Sequence, residues 1–112
     1  MSSEQRPLRG RWVKWGFADK ELVLEGESDV LYGIALTALE RLGRVGEHDG
    51  SRVIVGRTRF GLQRVSIKMF LRPLRDGRQL LRIEAFADDI WGGGARMGIK
   101  KLVRAIRESI GD

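Results

Sequence analysis

The sequence of 112 residues predicts an α+β fold: an antiparallel sheet of four to six strands with two helices packed on one face. Three observations lead there. Two stretches, one after Ser28 and one before Gly111, repeat apolar residues at helical spacing. Between them, segments alternate apolar and polar residues, as strands with one buried face do. Two Asp-Gly pairs, Asp49-Gly50 and Asp76-Gly77, fall where hairpins would turn.

Residues 1–10 read as a flexible arm and residues 11–112 as one α+β domain, because two cores would each be too small to be stable. The segment Arg11–Phe17 is short and aromatic. The turn-like Ala18-Asp19-Lys20 follows, and then a strand-like run, Glu21–Gly26, with Leu22 and Leu24 on one face. Together these predict a hairpin. The first helix begins where Ser28 or Asp29 can cap free backbone amides. Its stripe is Val30, Leu31, Ile34, Ala35, Ala38, Leu39 and Leu42, with Tyr32 and Arg41 off it and Gly43 as a left-handed stop. The first Asp-Gly pair would join a strand near Arg44–His48 to Ser51–Phe60, and the second would join Leu62–Arg72 to Arg78–Asp88. Both are read as type I′ turns, which need positive φ at both central residues. Phe60-Gly61 marks the turn between the hairpins.

In the last two strands Val65, Ile67, Met69 and Leu71 share one face, and Leu81, Ile83 and Ala85 share its equivalent. Their opposite faces carry Arg64, Ser66, Lys68, Phe70 and Arg72, then Arg82, Glu84 and Phe86. In the strand before them, Val53 and Val55 read as inward. Continuing that parity would bury Arg57 and Arg59, so a bulge at Gly56 is expected to turn them outward and bring Thr58 and Phe60 inward. Asp88 to Gly94 connects to the last helix, whose stripe is Ile99, Leu102, Val103, Ile106 and Ile110 and whose basic flank is Arg96, Lys100, Arg104 and Arg107.

The net charge of +6 is unevenly spread. Residues 1–50 carry −2, residues 51–82 carry +8, and the remainder balances. A basic block of this kind points to an anionic partner, and arginine favours forked contacts to phosphate or carboxylate. The absence of cysteine removes disulfides, thiolate nucleophiles, zinc ribbons and iron–sulfur clusters. No apolar run approaches the length of a membrane helix, so no membrane insertion is expected. Met1–Pro7 lacks the apolar core of a secretion signal, which makes the cytoplasm the expected compartment.

The order of strand, helix, four strands and helix resembles the TATA-binding-protein-like class of small bacterial domains. The likeness rests on Gly56-Arg57-Thr58-Arg59-Phe60-Gly61, the alternating Val65-Ser66-Ile67, Gly77 and the basic amphipathic last helix, and it covers about residues 20–110. It implies a helix-on-curved-sheet fold. Such folds host DNA binding, ligand binding and subunit contacts alike, so it implies no single function.

The leading functional expectation is a non-enzymatic binding module that meets nucleic acid or an acidic protein through its basic sheet face. Arg57, Arg59, Arg64, Lys68, Arg72 and Arg82 would hold phosphates, with Phe70 and Phe86 interleaved to stack bases. A secondary anion site would use Gly93 and Gly94 at the start of the last helix, with Arg96 and Lys100 nearby. Exposed aromatics beside arginine also suit a protein interface, so a homo-oligomer is expected. No cofactor or metal site is expected. One alternative is a carrier holding a small apolar ligand between the sheet and the last helix near Trp91 and Met97, in a cavity lined by Met69, Ala85 and Ile99. The other is an enzyme using Glu84 and Asp88, carboxylates on one strand face. His48, beside a turn, lacks an orienting partner in the sequence.

Overall fold

The computed structural model describes residues 16–60, 63–87 and 93–111. Seven elements follow in the order β1 (Phe17–Glu25), α1 (Ser28–Leu42), β2 (Gly43–His48), β3 (Val53–Phe60), β4 (Gln63–Pro73), β5 (Arg78–Ala87) and α2 (Gly93–Ile110). The strands form one antiparallel sheet in the order β1-β5-β4-β3-β2. The first strand therefore lies beside the last, and α1 carries the chain from one edge of the sheet to the other. Both helices pack on one face, as the alternation requires. Among the described residues no helix is long and apolar enough to cross a membrane.

The core lies between that face and the helices. Val65, Ile67, Met69 and Leu71 of β4 and Leu81, Ile83 and Ala85 of β5 are buried, as read from the sequence. They meet Leu31, Ala35, Ala38 and Leu39 of α1 and Ile99, Leu102 and Ile106 of α2. At Gly98 the second helix presses directly on the sheet: a Cβ there would lie 3.0 Å from Val65 Cγ1. The space between α2 and β4 is closed at that point.

Several local expectations are corrected. Ala18-Asp19-Lys20 is not a turn, because β1 runs unbroken and pairs with β5 from Phe17↔Phe86 to Glu25↔Arg78. Cross-strand pairing overrides the turn propensity of these residues. Residues 11–15 of the expected hairpin lie outside the described residues. Neither Ser28 nor Asp29 caps α1 with its side chain. The N-cap is Glu27, whose carbonyl accepts from the Leu31 amide at 3.0 Å, while Asp29 Oδ1 accepts from its neighbour Val30. Gly43 is extended rather than left-handed, and β2 begins on it directly. Glycine is needed there for another reason: a Cβ would collide with the Arg57 carbonyl on β3.

No bulge occurs at Gly56. β3 stays in register with β4 from Val53↔Phe70 to Phe60↔Gln63, and the register shift lies in β2, between Val45 and His48. The parity of β3 is instead opposite from its start. Ile54, Gly56 and Thr58 are buried, while Val53 and Val55 lie on the outer face with Arg57 and Arg59. The two valines misled because they lie half-buried on the outer face, opposite Phe70 and Lys68 of β4. Thr58 tolerates burial because its Oγ1 donates to the Leu42 carbonyl at 2.9 Å. The side chain of Phe60 lies outside the described residues.

Both Asp-Gly pairs do sit in hairpin loops, but only the glycines have positive φ, so neither loop is type I′. Between β2 and β3 the loop spans residues 49–52. Asp49 Oδ1 organises it, accepting from the amides of Arg52 at 2.7 Å, Ser51 at 2.9 Å and Val53 at 3.0 Å. Tyr32 bolts the same loop to α1. It is buried (5% exposed) where the helical stripe had excluded it, whereas Val30, placed on the stripe, is 54% exposed. The Tyr32 hydroxyl donates to the Val53 carbonyl at 3.0 Å and accepts from the Gly50 amide at 2.9 Å, so its polar tip is satisfied under the loop.

Two expected outcomes follow. Tyr32→Phe lowers the unfolding free energy by about 1–2 kcal/mol in urea titrations, the cost of two bonds to a partly buried loop. The second concerns pH. The three amides hold the Asp49 carboxyl at about 2, against its ordinary 3.8. A depressed carboxyl stabilises the fold above the unfolded pKa and loses that contribution as pH falls through the folded one. The stability gap between wild type and Asp49→Ala is therefore full above pH 3.8 and closes as pH falls through about 2. A gap that stays constant across that window contradicts the assignment.

Candidate anion-binding site

The register of the five strands fixes what stands beside what on the outer face. One row across the sheet runs Phe17, Phe86, Ser66, Arg57 and Arg44, from β1 to β2. The next runs Asp19, Glu84, Lys68 and Val55, and the one after it Glu21, Arg82, Phe70 and Val53. Neighbours within a row are about 5 Å apart.

These rows split the basic block. Arg82, expected among the phosphate ligands, sits amid three carboxylates. It donates to Asp19 at 2.6 Å, Glu84 at 3.0 Å and Glu21 at 3.2 Å. The bond to Glu84, then those to Asp19 and Glu21, raise the arginine's pKa above its ordinary value. The cluster of one cation and three anions is net negative, so it repels phosphate. Lys68 stands opposite Glu84, with its Nζ 5.3 Å from the centroid of the Phe70 ring, a cation–π contact that covers this ring. Arg72 is exposed, opposite Leu80 at the far end of β4 from Arg64. Arg82, Lys68, Arg72 and Phe70 therefore do not line a hollow with Arg57, Arg59 and Arg64.

Arg57, Arg59 and Arg64 do come together, and Arg44 joins them. With Leu42, Gly43 and Thr58 they line an open hollow of 470 Å³. Arg44 is directly opposite Arg57, and Arg59 is directly opposite Arg64. None of the four forms an ion pair with a described residue. Sequence reasoning missed Arg44 because a two-residue turn at Asp49-Gly50 would have set it opposite Val55. The longer loop and the register shift in β2 move it beside Arg57.

The secondary candidates separate. Gly93 and Gly94 form the first turn of α2, with Gly94 buried. Arg96 and Lys100 instead line a groove of 340 Å³ beside β1, together with Lys20, Met97, Ile99, Val103 and Arg107. Met69, Ala85 and Ile99, the expected carrier lining, are all buried in the packed core. Glu84 is engaged by Arg82, whereas Asp88 and Trp91 lie outside the described residues. His48 is exposed, with its ring centroid 6.3 Å from that of Tyr32.

The Arg82 cluster makes a prediction of its own. Arg82→Met leaves three carboxylates facing one another, so the variant's urea midpoint falls below wild type at low salt. Added sodium chloride narrows the gap by screening that repulsion. A gap that salt does not change argues against the ionic account.

No family model matches the chain, and no curated protein matches it at a significant level.

Proposed function

We propose that this chain is a non-enzymatic binding module that holds a phosphate-bearing polyanion in the four-arginine hollow. One observation carries the reading. Two arginine pairs stand directly across adjacent strands with no counter-ion among the described residues. Like charges directly opposite on a sheet cost stability. An ordinary solvated face interleaves the two signs, as the Arg82 side of this sheet does. A cost left uncompensated in the free protein is the kind that a bound anion offsets. Guanidinium groups suit phosphate because each presents two parallel donors in a planar fork. The order of elements is similar to that of the TATA-binding-protein-like class, which supplies a scaffold and no partner.

The test pairs affinity with stability. Arg57→Gln combined with Arg59→Gln is expected to weaken binding of labelled inorganic polyphosphate and of oligonucleotides, read by fluorescence anisotropy. Melting temperature stays level or rises, because each substitution relieves one like-charge pair. For single-stranded oligonucleotides, four phosphate contacts give a slope of log affinity against log salt near −3, at about −0.7 per contact. The double variant recovers roughly half of it. Unchanged affinity in a variant that melts lower would mean the arginines serve the fold alone.

A further inference from the structure

We infer that the polyanion is a single-stranded nucleic acid, with one base seated on Phe86 in a second hollow beside the arginines. The inference rests on the anion-binding reading and adds the class of ligand. The second hollow has a volume of 400 Å³ and lies on the same sheet face, lined by Phe17, Val55, Ser66, Lys68, Glu84 and Phe86 among others. Arg57 lines the first hollow and Ser66 the second, and these two residues are register partners. The hollows therefore abut across a single cross-strand pair. Phe86 lies two strands from Arg57 in the same row, about 10 Å away. It is 47% exposed, an open aromatic face with no ring contact to a described residue.

The two hollows differ in chemistry, one cationic and the other largely aromatic and aliphatic, and that orients the ligand. Four arginines surround the first. The second has an aromatic and aliphatic lining in which one cation, Lys68, stands against Glu47 and Glu84, and Glu84 is already paired with Arg82. This lining offers phosphate no cluster of cations, and the Glu47 carboxylate can accept from the exocyclic amine of a base. A linear inorganic anion would use only the first hollow. A chain that alternates phosphate with flat, hydrogen-bonding rings matches both. Bases held in a duplex are stacked and cannot reach a side chain lying on a flat sheet, whereas unpaired bases splay onto such aromatics. An acidic protein segment meets the first hollow as well as RNA does, but it carries no flat ring at a phosphate's spacing to use the exposed Phe86 in the second.

The experiment compares three probes on the full chain by anisotropy: a fluorescent fifteen-nucleotide single strand, in DNA and RNA forms, the matching duplex, and labelled inorganic polyphosphate. The single strand is expected to bind at least tenfold tighter than the duplex. Phe86→Ala is expected to lower single-strand affinity by roughly 5- to 150-fold, the range for losing one stacked base, while polyphosphate affinity holds. Phe86→Leu, which keeps apolar bulk without a π-face, should behave like the alanine variant, and Phe86→Tyr should retain binding. Single-strand affinity that survives both Phe86→Ala and Phe86→Leu overturns the base site, and so does equal binding of duplex and single strand. In either case polyphosphate binding that depends on Arg57 leaves the arginine reading standing. If no probe binds even at low salt, the arginine reading itself falls.

Discussion

The pairing of the first strand with the last decides the character of this molecule. β1 enters the sheet beside β5, and its side chains Asp19 and Glu21 then stand next to Arg82. Had β1 lain at the opposite edge, those acids would have faced Arg44 and Arg57. The sheet would then carry its positive charge where Arg82 and Lys68 are. Instead, among the described residues, one side of the outer face is internally compensated and the arginines of the other form no ion pair. The acids of β1 stand at Arg82 and not at the arginine hollow.

That pairing demands the long route taken by α1. The helix crosses the inner face from the β1 edge to the β2 edge, burying Leu31, Tyr32, Ala35, Ala38 and Leu39 along the way. It delivers Leu42 and Gly43 to the margin of the hollow. The close approach of Gly43 to β3 brings β2 near enough for Arg44 to join Arg57. Thr58 secures the same corner from within by donating to the Leu42 carbonyl. Helix, edge strand and buried hydroxyl thus position four like charges that would otherwise separate.

Much of the fold was legible because burial imposes a period. The alternation in β4 and β5 identified the inner face residue by residue, and the apolar repeat in α2 located its packing side. That alternation even contained the answer to the second hairpin. Leu71 and Leu81 share a face and are register partners, a pairing that a two-residue turn at Asp76-Gly77 would have broken by one residue. What stayed hidden depended on partners distant in sequence. Tyr32 reads as off-stripe until the loop that receives its hydroxyl is in place. Val53 and Val55 read as core because a half-buried outer face is also apolar. Arg82 reads as a free cation because two of the three acids that hold it, Asp19 and Glu21, come from a strand about sixty positions earlier. The candidate site was half legible for the same reason: Arg57, Arg59 and Arg64 lie close along one hairpin, and Arg44 depends on the length of another.

The same long-range pairing bears on how the chain folds. Partners between β1 and β5 are separated by 53 to 69 positions, whereas β2 through β5 form successive hairpins from near neighbours. Loop-closure entropy favours the hairpins first. On a ribosome β1 emerges early and then waits, its Leu22 without a core, until Ala87 has been made. Until β1 docks, the sheet of hairpins has an open edge at β5. Charges at Asp19, Lys20 and Glu21 make the waiting strand a poor template for association with other chains. The acids that compensate one side of the sheet thus also guard the strand whose pairing closes the longest loop.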